Sequence, residues 1–186
     1  MKDLRKYFKK HPVIASIRND GDFRYALNTK VAALFILCGD IFNLPQIVKE
    51  CKKHNKLVFL HIDLTKGIGR DREGVIYLSK KALCDGIVST KSNLINIAKK
   101  EGLIAIQRFF LLDTAALNTG EQLLKNIQPD AVEILPGIAA PYFIEHTDKN
   151  LLCPVIAGGL ISNKREIEEL LRKGILSVST SKKELW

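Results

Sequence analysis

Eight apolar, β-branched runs recur along the 186 residues at a nearly constant interval, and few folds accommodate that rhythm. They begin with Val13-Ile-Ala-Ser-Ile17, Val31-Ala-Ala-Leu-Phe-Ile-Leu37, Leu57-Val-Phe-Leu-His-Ile62 and Gly86-Ile-Val-Ser89. They continue with Leu103-Ile-Ala-Ile-Gln107, Ala131-Val-Glu-Ile-Leu135, Val155-Ile-Ala157 and Ile175-Leu-Ser-Val178. From Val13 to Ile175 is 162 positions over seven intervals, about 23 residues each. Helical stretches lie between them. Leu44–Lys53 places Leu44, Ile47, Val48 and Cys51 on one face, and Leu94–Lys100 and Ile167–Lys173 follow the same period. Strand, helix, strand at this spacing means parallel βαβ units with right-handed crossovers. Continuous apolar strands suit a sheet covered on both faces.

Eight units favour closure into a compact, single-domain (β/α)8 TIM-type barrel over residues 1–186, smaller than the usual ~250 residues. An open flavodoxin-like sheet is the structural alternative, but it leaves two or three strands without a place. Segment 2–10 reads as a short amphipathic helix that plugs the bottom of the barrel. A weak internal repeat points to a duplicated half-barrel. Ile14 and Ile104 lie 90 apart, as do Val88-Ser-Thr90 and Val178-Ser-Thr180, while Ile36-Leu-Cys-Gly39 and Ile134-Leu-Pro-Gly137 lie 98 apart.

In such a barrel, function sits at the C-terminal strand ends. The seventh run ends in Gly158-Gly159, and the eighth leads through Thr180-Ser181 into Lys182 and Lys183. Loops after strands seven and eight form a phosphate site by offering backbone N–H groups and a helix N-terminus. Ser181 and Glu184 have the spacing of a capping box. Elsewhere along the rim are Arg18, the pair His61 and Asp63, Arg108 and Glu133. Glu133 is a carboxylate in an apolar strand and needs a partner, for which Arg18 and Arg108 are candidates. The expected ligand-binding set is therefore Arg18, Asp63, Arg108, Glu133, Gly158, Gly159, Thr180 and Ser181. The alternative is that these charges only neutralise one another.

No lysine lies in the sixth run, so a Schiff-base aldolase is unsupported. No histidine or carboxylate cluster suggests a metal, and no cofactor is expected. No apolar run approaches the ~20 residues of a membrane span, and the N-terminus lacks a signal peptide. The four cysteines are scattered with no CxxC pair, and Cys38, Cys84 and Cys153 read as reduced core residues, so the chain is expected in the cytoplasm. The net charge of +9 suits an anionic ligand or nucleic acid.

The chain also resembles the glycerol 3-phosphate-responsive antiterminator family from end to end. The residues that carry the resemblance include Pro12-Val-Ile-Ala-Ser-Ile-Arg18, Gly39-Asp-Ile41, Lys56-Leu-Val-Phe-Leu-His-Ile-Asp63 and Asp85-Gly-Ile-Val-Ser-Thr-Lys-Ser-Asn-Leu94. Ile106-Gln-Arg-Phe-Phe110, Glu133-Ile-Leu-Pro-Gly137, Pro154-Val-Ile-Ala-Gly-Gly-Leu160 and Val178-Ser-Thr-Ser-Lys-Lys-Glu-Leu-Trp186 continue it. Lys66-Gly-Ile-Gly69 departs from the pattern, and Pro141–Leu152 is unassigned. The resemblance implies a barrel that binds glycerol 3-phosphate as effector, contacts leader mRNA and regulates glycerol-use operons by transcription antitermination, without catalytic residues. Lys164, Arg165, Lys182 and Lys183 are the candidate RNA contacts at the ligand rim, and Lys2, Arg5, Lys6, Lys9 and Lys10 form a second group. Two alternatives stay open: an enzyme on a small phosphorylated polyol or sugar, with His61 and Asp63 as acid and base, and a degenerate barrel that binds only a protein; homo-oligomerisation is compatible with any of these readings.

Overall fold

The computed structural model describes residues 4–186. In chain order the elements are α1 (Leu4–Phe8), β1 (Val13–Ile17), α2 (Asp20–Leu27), β2 (Ala33–Ile36), α3 (Leu44–Lys53), β3 (Leu57–His61), α4 (Arg72–Lys80) and β4 (Gly86–Ser89). They continue with α5 (Ser92–Lys100), β5 (Ile104–Phe110), α6 (Thr114–Ile127), β6 (Ala131–Leu135), α7 (Ala140–His146), β7 (Val155–Gly158), α8 (Lys164–Arg172) and β8 (Ser177–Thr180). Each strand pairs in parallel with the next, and Ile14 of β1 sits opposite Ser179 of β8. The sheet is a closed (β/α)8 barrel, and the open alternative is excluded.

Closure gives each strand an inner and an outer face, and the apolar residues divide accordingly. Ile14, Phe35, Phe59, Val88, Ile106 and Ile156 fill the interior. Leu4 and Phe8 of α1 belong to the same cluster and close the mouth at the strand N-termini. Residues 1–3, part of the expected 2–10 helix and including Lys2, lie outside the described residues. Outward residues such as Leu34, Val58 and Ile87 pack under the helices of the first half, and Val132, Ala157 and Val178 under those of the second.

Above this plug the interior turns polar. Ser16, His61, Glu133 and Ser179 are all buried. Strand registers and alternation bring Ser16, His61, Arg108 and Gly158, from alternate strands, to one level. The apolar strand segments below fill the barrel interior, and the polar level above them is the base on which the site is built.

The eighth strand begins at Ser177, two residues after the run read from the sequence. Ser177 and Ser179 are buried small polar residues, so a reading keyed to apolar runs starts the strand early. The duplicated half-barrel meets a structural objection. Val88 lies in the interior cluster and Val178 in an outer one, so that echo faces opposite sides, whereas Ile14 and Ile104, at the same offset, both face the interior.

Candidate functional site

A cleft of about 470 Å³ opens at the C-terminal mouth. Loops after β7 and β8 form one wall, with Gly159, Leu160, Ser162, Thr180, Ser181 and Lys182 among its residues. Ser16 and Arg18 of the β1 end, together with Arg108 and Glu133, line the rest.

Glu133 organises the floor. It is 1% exposed. Its Oε2 accepts from Arg108 Nε at 2.6 Å, and its Oε1 accepts from Ser179 Oγ at 2.5 Å. Both oxygens are engaged, so the carboxylate holds Arg108 in place rather than presenting a vacant edge to the cleft. Nearly all of this pair is out of water, where the loss of one partner leaves an uncompensated charge. Of the two partners expected for Glu133, Arg108 is the one found. Arg18 is exposed on the cleft wall and has no hydrogen bond or ion pair among the described residues.

The two glycines play different parts. Gly158 lies beneath the cleft and does not line it. A Cβ there would stand 2.7 Å from both Glu133 Oε1 and Ser179 Oγ, so glycine leaves the space this pair occupies. Gly159 lines the cleft at φ +75°, in the region where glycine is free of Cβ strain. Its carbonyl accepts from Gly137 N–H at 3.1 Å, which ties the β6 loop to the β7 loop.

The expected Ser181–Glu184 capping box is absent. Residues Lys183–Leu185 form a single 3-10 turn, and its cap residue Lys182 makes no side-chain cap bond. The reciprocal cap lies at α8 instead. Asn163 accepts from Glu166 N–H, and the Glu166 carboxylate accepts from Ser162 N–H and Oγ. Those bonds hold the Glu166 carboxyl below its usual range. Thr180 Oγ1 accepts from Lys182 N–H, and Lys182 Nζ donates to Ser162 O at 2.8 Å. Lys182 thus ties the two loops of the cleft together.

Asp63 lies apart from the cleft lining. It accepts from Ser89 Oγ at 2.9 Å and Thr90 N–H at 3.0 Å, which fastens the end of β4. His61 is 4% exposed, and its Nδ1 has no hydrogen-bond partner. The nearest carboxylate oxygen, on Asp63, is 3.9 Å away. Burial first, then the Arg108 charge, pushes the imidazole down to about 4. Among the described residues no group of His, Cys, Asp and Glu is placed to hold a metal, and no helix is long and apolar enough to cross a membrane. The four thiols are free.

Of the rim cations, Lys183 pairs with Asp22 at 2.7 Å and Arg165 with Glu169 at 2.8 Å, while Lys164 is exposed. Sequence reasoning missed Ser16, Ser162 and Ser179 as site residues. Ser179 follows from alternation once β8 is in register, whereas no local pattern marks Ser16 or Ser162.

The chain as a whole is similar to known proteins. A glycerol uptake operon antiterminator regulatory protein from Listeria monocytogenes str. 4b F2365 is 34% identical, with a TM-score of 0.86 and 94% of each chain covered. A glycerol uptake operon antiterminator-related protein from Thermotoga maritima MSB8 is 32% identical, with a TM-score of 0.84 over 95% of this chain and 98% of its own. Protein YgcP of Escherichia coli K12 is 28% identical over 183 residues, 98% of this chain and 95% of YgcP. Residues 13–186 match the model of the family described as glycerol-3-phosphate responsive antiterminator, and the chain belongs to that family.

Proposed function

We propose that the cleft binds glycerol 3-phosphate and that its occupancy switches the action of the chain on a leader transcript in the cytoplasm. The observation that carries this reading is the convergence of partnerless Arg18, Glu133-anchored Arg108 and Lys182 on a small-residue wall. A dianionic phosphate needs cations and close backbone approach, and this cleft offers both. In this reading Gly159, Thr180, Ser181 and Lys182 take the phosphate. Arg18 and Arg108 take the glycerol hydroxyls. Glu133 and Gly158 act through Arg108, and Asp63 acts through the β4 end that it fastens. Lys164, Arg165 and Lys183 stand beside the phosphate loops and carry the ligand-dependent part of the RNA contact. Exposed Phe110, Leu112, Ile138 and Leu160 near the mouth are the surface we assign to self-association.

A sensor fits the floor better than an enzyme does. The carboxylate that faces the cleft is committed to Arg108 and Ser179, and His61 is buried away from the lining. In vitro transcription through a terminator, with purified protein, tests the reading. Read-through that rises with glycerol 3-phosphate supports it. Turnover of the ligand without any effect on read-through would move the assignment to the enzyme.

A further inference from the structure

The charge of +9 is not spread evenly, and its placement marks a second surface. Each connection can be taken with the four adjoining helical residues. Connections that leave strands then hold nine Lys and Arg against nine Asp and Glu, among the described residues. Connections that leave helices hold seventeen against seven. Within that second group, those leading into β1–β5 hold thirteen against three, and those leading into β6–β8 hold four against four. The excess is therefore an arc on the face opposite the ligand cleft, beneath β1–β5.

Helix dipoles favour cations at every helix C-terminus. That effect applies to the helices before β6–β8 as well, where no excess exists, so it does not account for the arc. Some of the lysines are structural. Lys56 Nζ donates to Thr29 O and Val31 O, and Lys99 Nζ to Ile127 O and Gln128 O. Others, including Lys9, Lys10, Lys30, Lys80, Lys81 and Lys100, are exposed, and their side chains have no hydrogen bond or ion pair among the described residues. The opposing carboxylates are partly engaged: Asp85 accepts from Val58 N–H, Asp130 beside the arc from Ala105 N–H, and Glu50 pairs with Lys53. A groove of about 740 Å³ runs through this face between Lys52, Ser79, Ala82, Lys99 and Asp130.

We infer that this arc holds the phosphate backbone of single-stranded RNA. The inference rests on the reading that the chain acts on a transcript, and it locates the main contact on the face away from the ligand. RNA affinity then has two parts: a sequence-independent electrostatic part from the arc, and a smaller ligand-dependent part from the rim. A polyanion chooses the face with uncompensated charge, and the rim has none in net terms.

The test compares wild type with a variant carrying Lys30→Glu, Lys80→Glu, Lys81→Glu and Lys100→Glu together, and with Lys164→Glu. The probe is a fluorescein-labelled single-stranded RNA of mixed sequence, titrated at several salt concentrations with and without glycerol 3-phosphate. The arc variant should bind at least tenfold more weakly in both ligand states. Its salt slope should be shallower by about 0.7 for each lysine that touches a phosphate. It should keep the wild-type ligand-induced rise in melting temperature, which shows that barrel and cleft are intact. Lys164→Glu should alter only the ligand-dependent part. Unchanged RNA binding by the arc variant, with wild type binding well, overturns the surface and leaves the transcript reading standing. No RNA binding by wild type in either ligand state overturns both. Binding of poly-glutamate but not RNA assigns the arc to an acidic protein and overturns the inference.

Discussion

Gly158 and Glu133 stand so close that any side chain on the first would displace the second. A Cβ at position 158 falls 2.7 Å from Glu133 Oε1, and the end of β7 has no slack because Gly158 pairs with Ser179 in the barrel wall. Gly158→Ala should therefore destabilise the fold by about 3 kcal/mol, as overpacking of a tight interior does. It should also weaken glycerol 3-phosphate binding by moving Arg108. Thermal melts and calorimetric titration measure the two effects. A variant that matches wild type in both would mean that the carboxylate does not need this space.

The buried pair Arg108–Glu133 gives a second expectation. Glu133→Gln preserves volume but leaves Arg108 without its counter-charge. Breaking a buried pair costs about 3–5 kcal/mol. At 11% side-chain exposure Arg108 retains some contact with water, which puts the loss near the lower end. Ligand affinity should fall about tenfold, ~1.4 kcal/mol, because Arg108 is no longer held toward the cleft. Wild-type melting with lost binding would instead make Glu133 a direct contact.

The barrel was legible because eight runs at one interval leave little choice of topology, and α3 emerged at its observed limits from the period of Leu44, Ile47, Val48 and Cys51. No clear apolar period marks helices α2, α4 and α6, although Asn19, Asp71 and Asp113 cap them, each accepting from a backbone N–H three residues on. Their apolar faces are interrupted by polar residues, so caps were the better signal. At the site, sequence located the rim but not who pairs with whom. Whether Arg18 or Arg108 reaches Glu133 depends on barrel stagger, which no local pattern encodes. Asp63 illustrates the same limit: its spacing from His61 suggests a joint role, yet its hydrogen bonds go to Ser89 and Thr90.

His61 gives the pH dependence. Its folded-state pKa of about 4 lies below the ordinary 6.5, so the unfolded chain binds more protons between these values. Stability should be highest above pH 6.5 and fall as the pH drops toward 4, by on the order of 3 kcal/mol from this residue. His61→Gln should flatten that part of the profile. Urea unfolding at a series of pH values measures it, and parallel profiles for the two proteins would remove His61 as the cause.

Gly159 tests the loop. At φ +75° an aspartate is strained by about 1–2 kcal/mol, while the nearest atom to a Cβ, on Leu135, is an ordinary 3.5 Å away. Gly159→Asp should therefore fold, and its carboxylate should repel the phosphate. A variant that binds glycerol 3-phosphate as wild type does would place the phosphate elsewhere.

The most direct measurement is the melting temperature of wild type with glycerol 3-phosphate, with glycerol and with inorganic phosphate at equal concentrations. A ligand that binds only the folded state at a hundredfold excess over its dissociation constant adds ~2.7 kcal/mol of stability. The cleft described here should respond strongly to glycerol 3-phosphate, weakly to phosphate and not to glycerol, with every response lost in Gly159→Asp. Equal stabilisation by phosphate and glycerol 3-phosphate, or none by either, would contradict it.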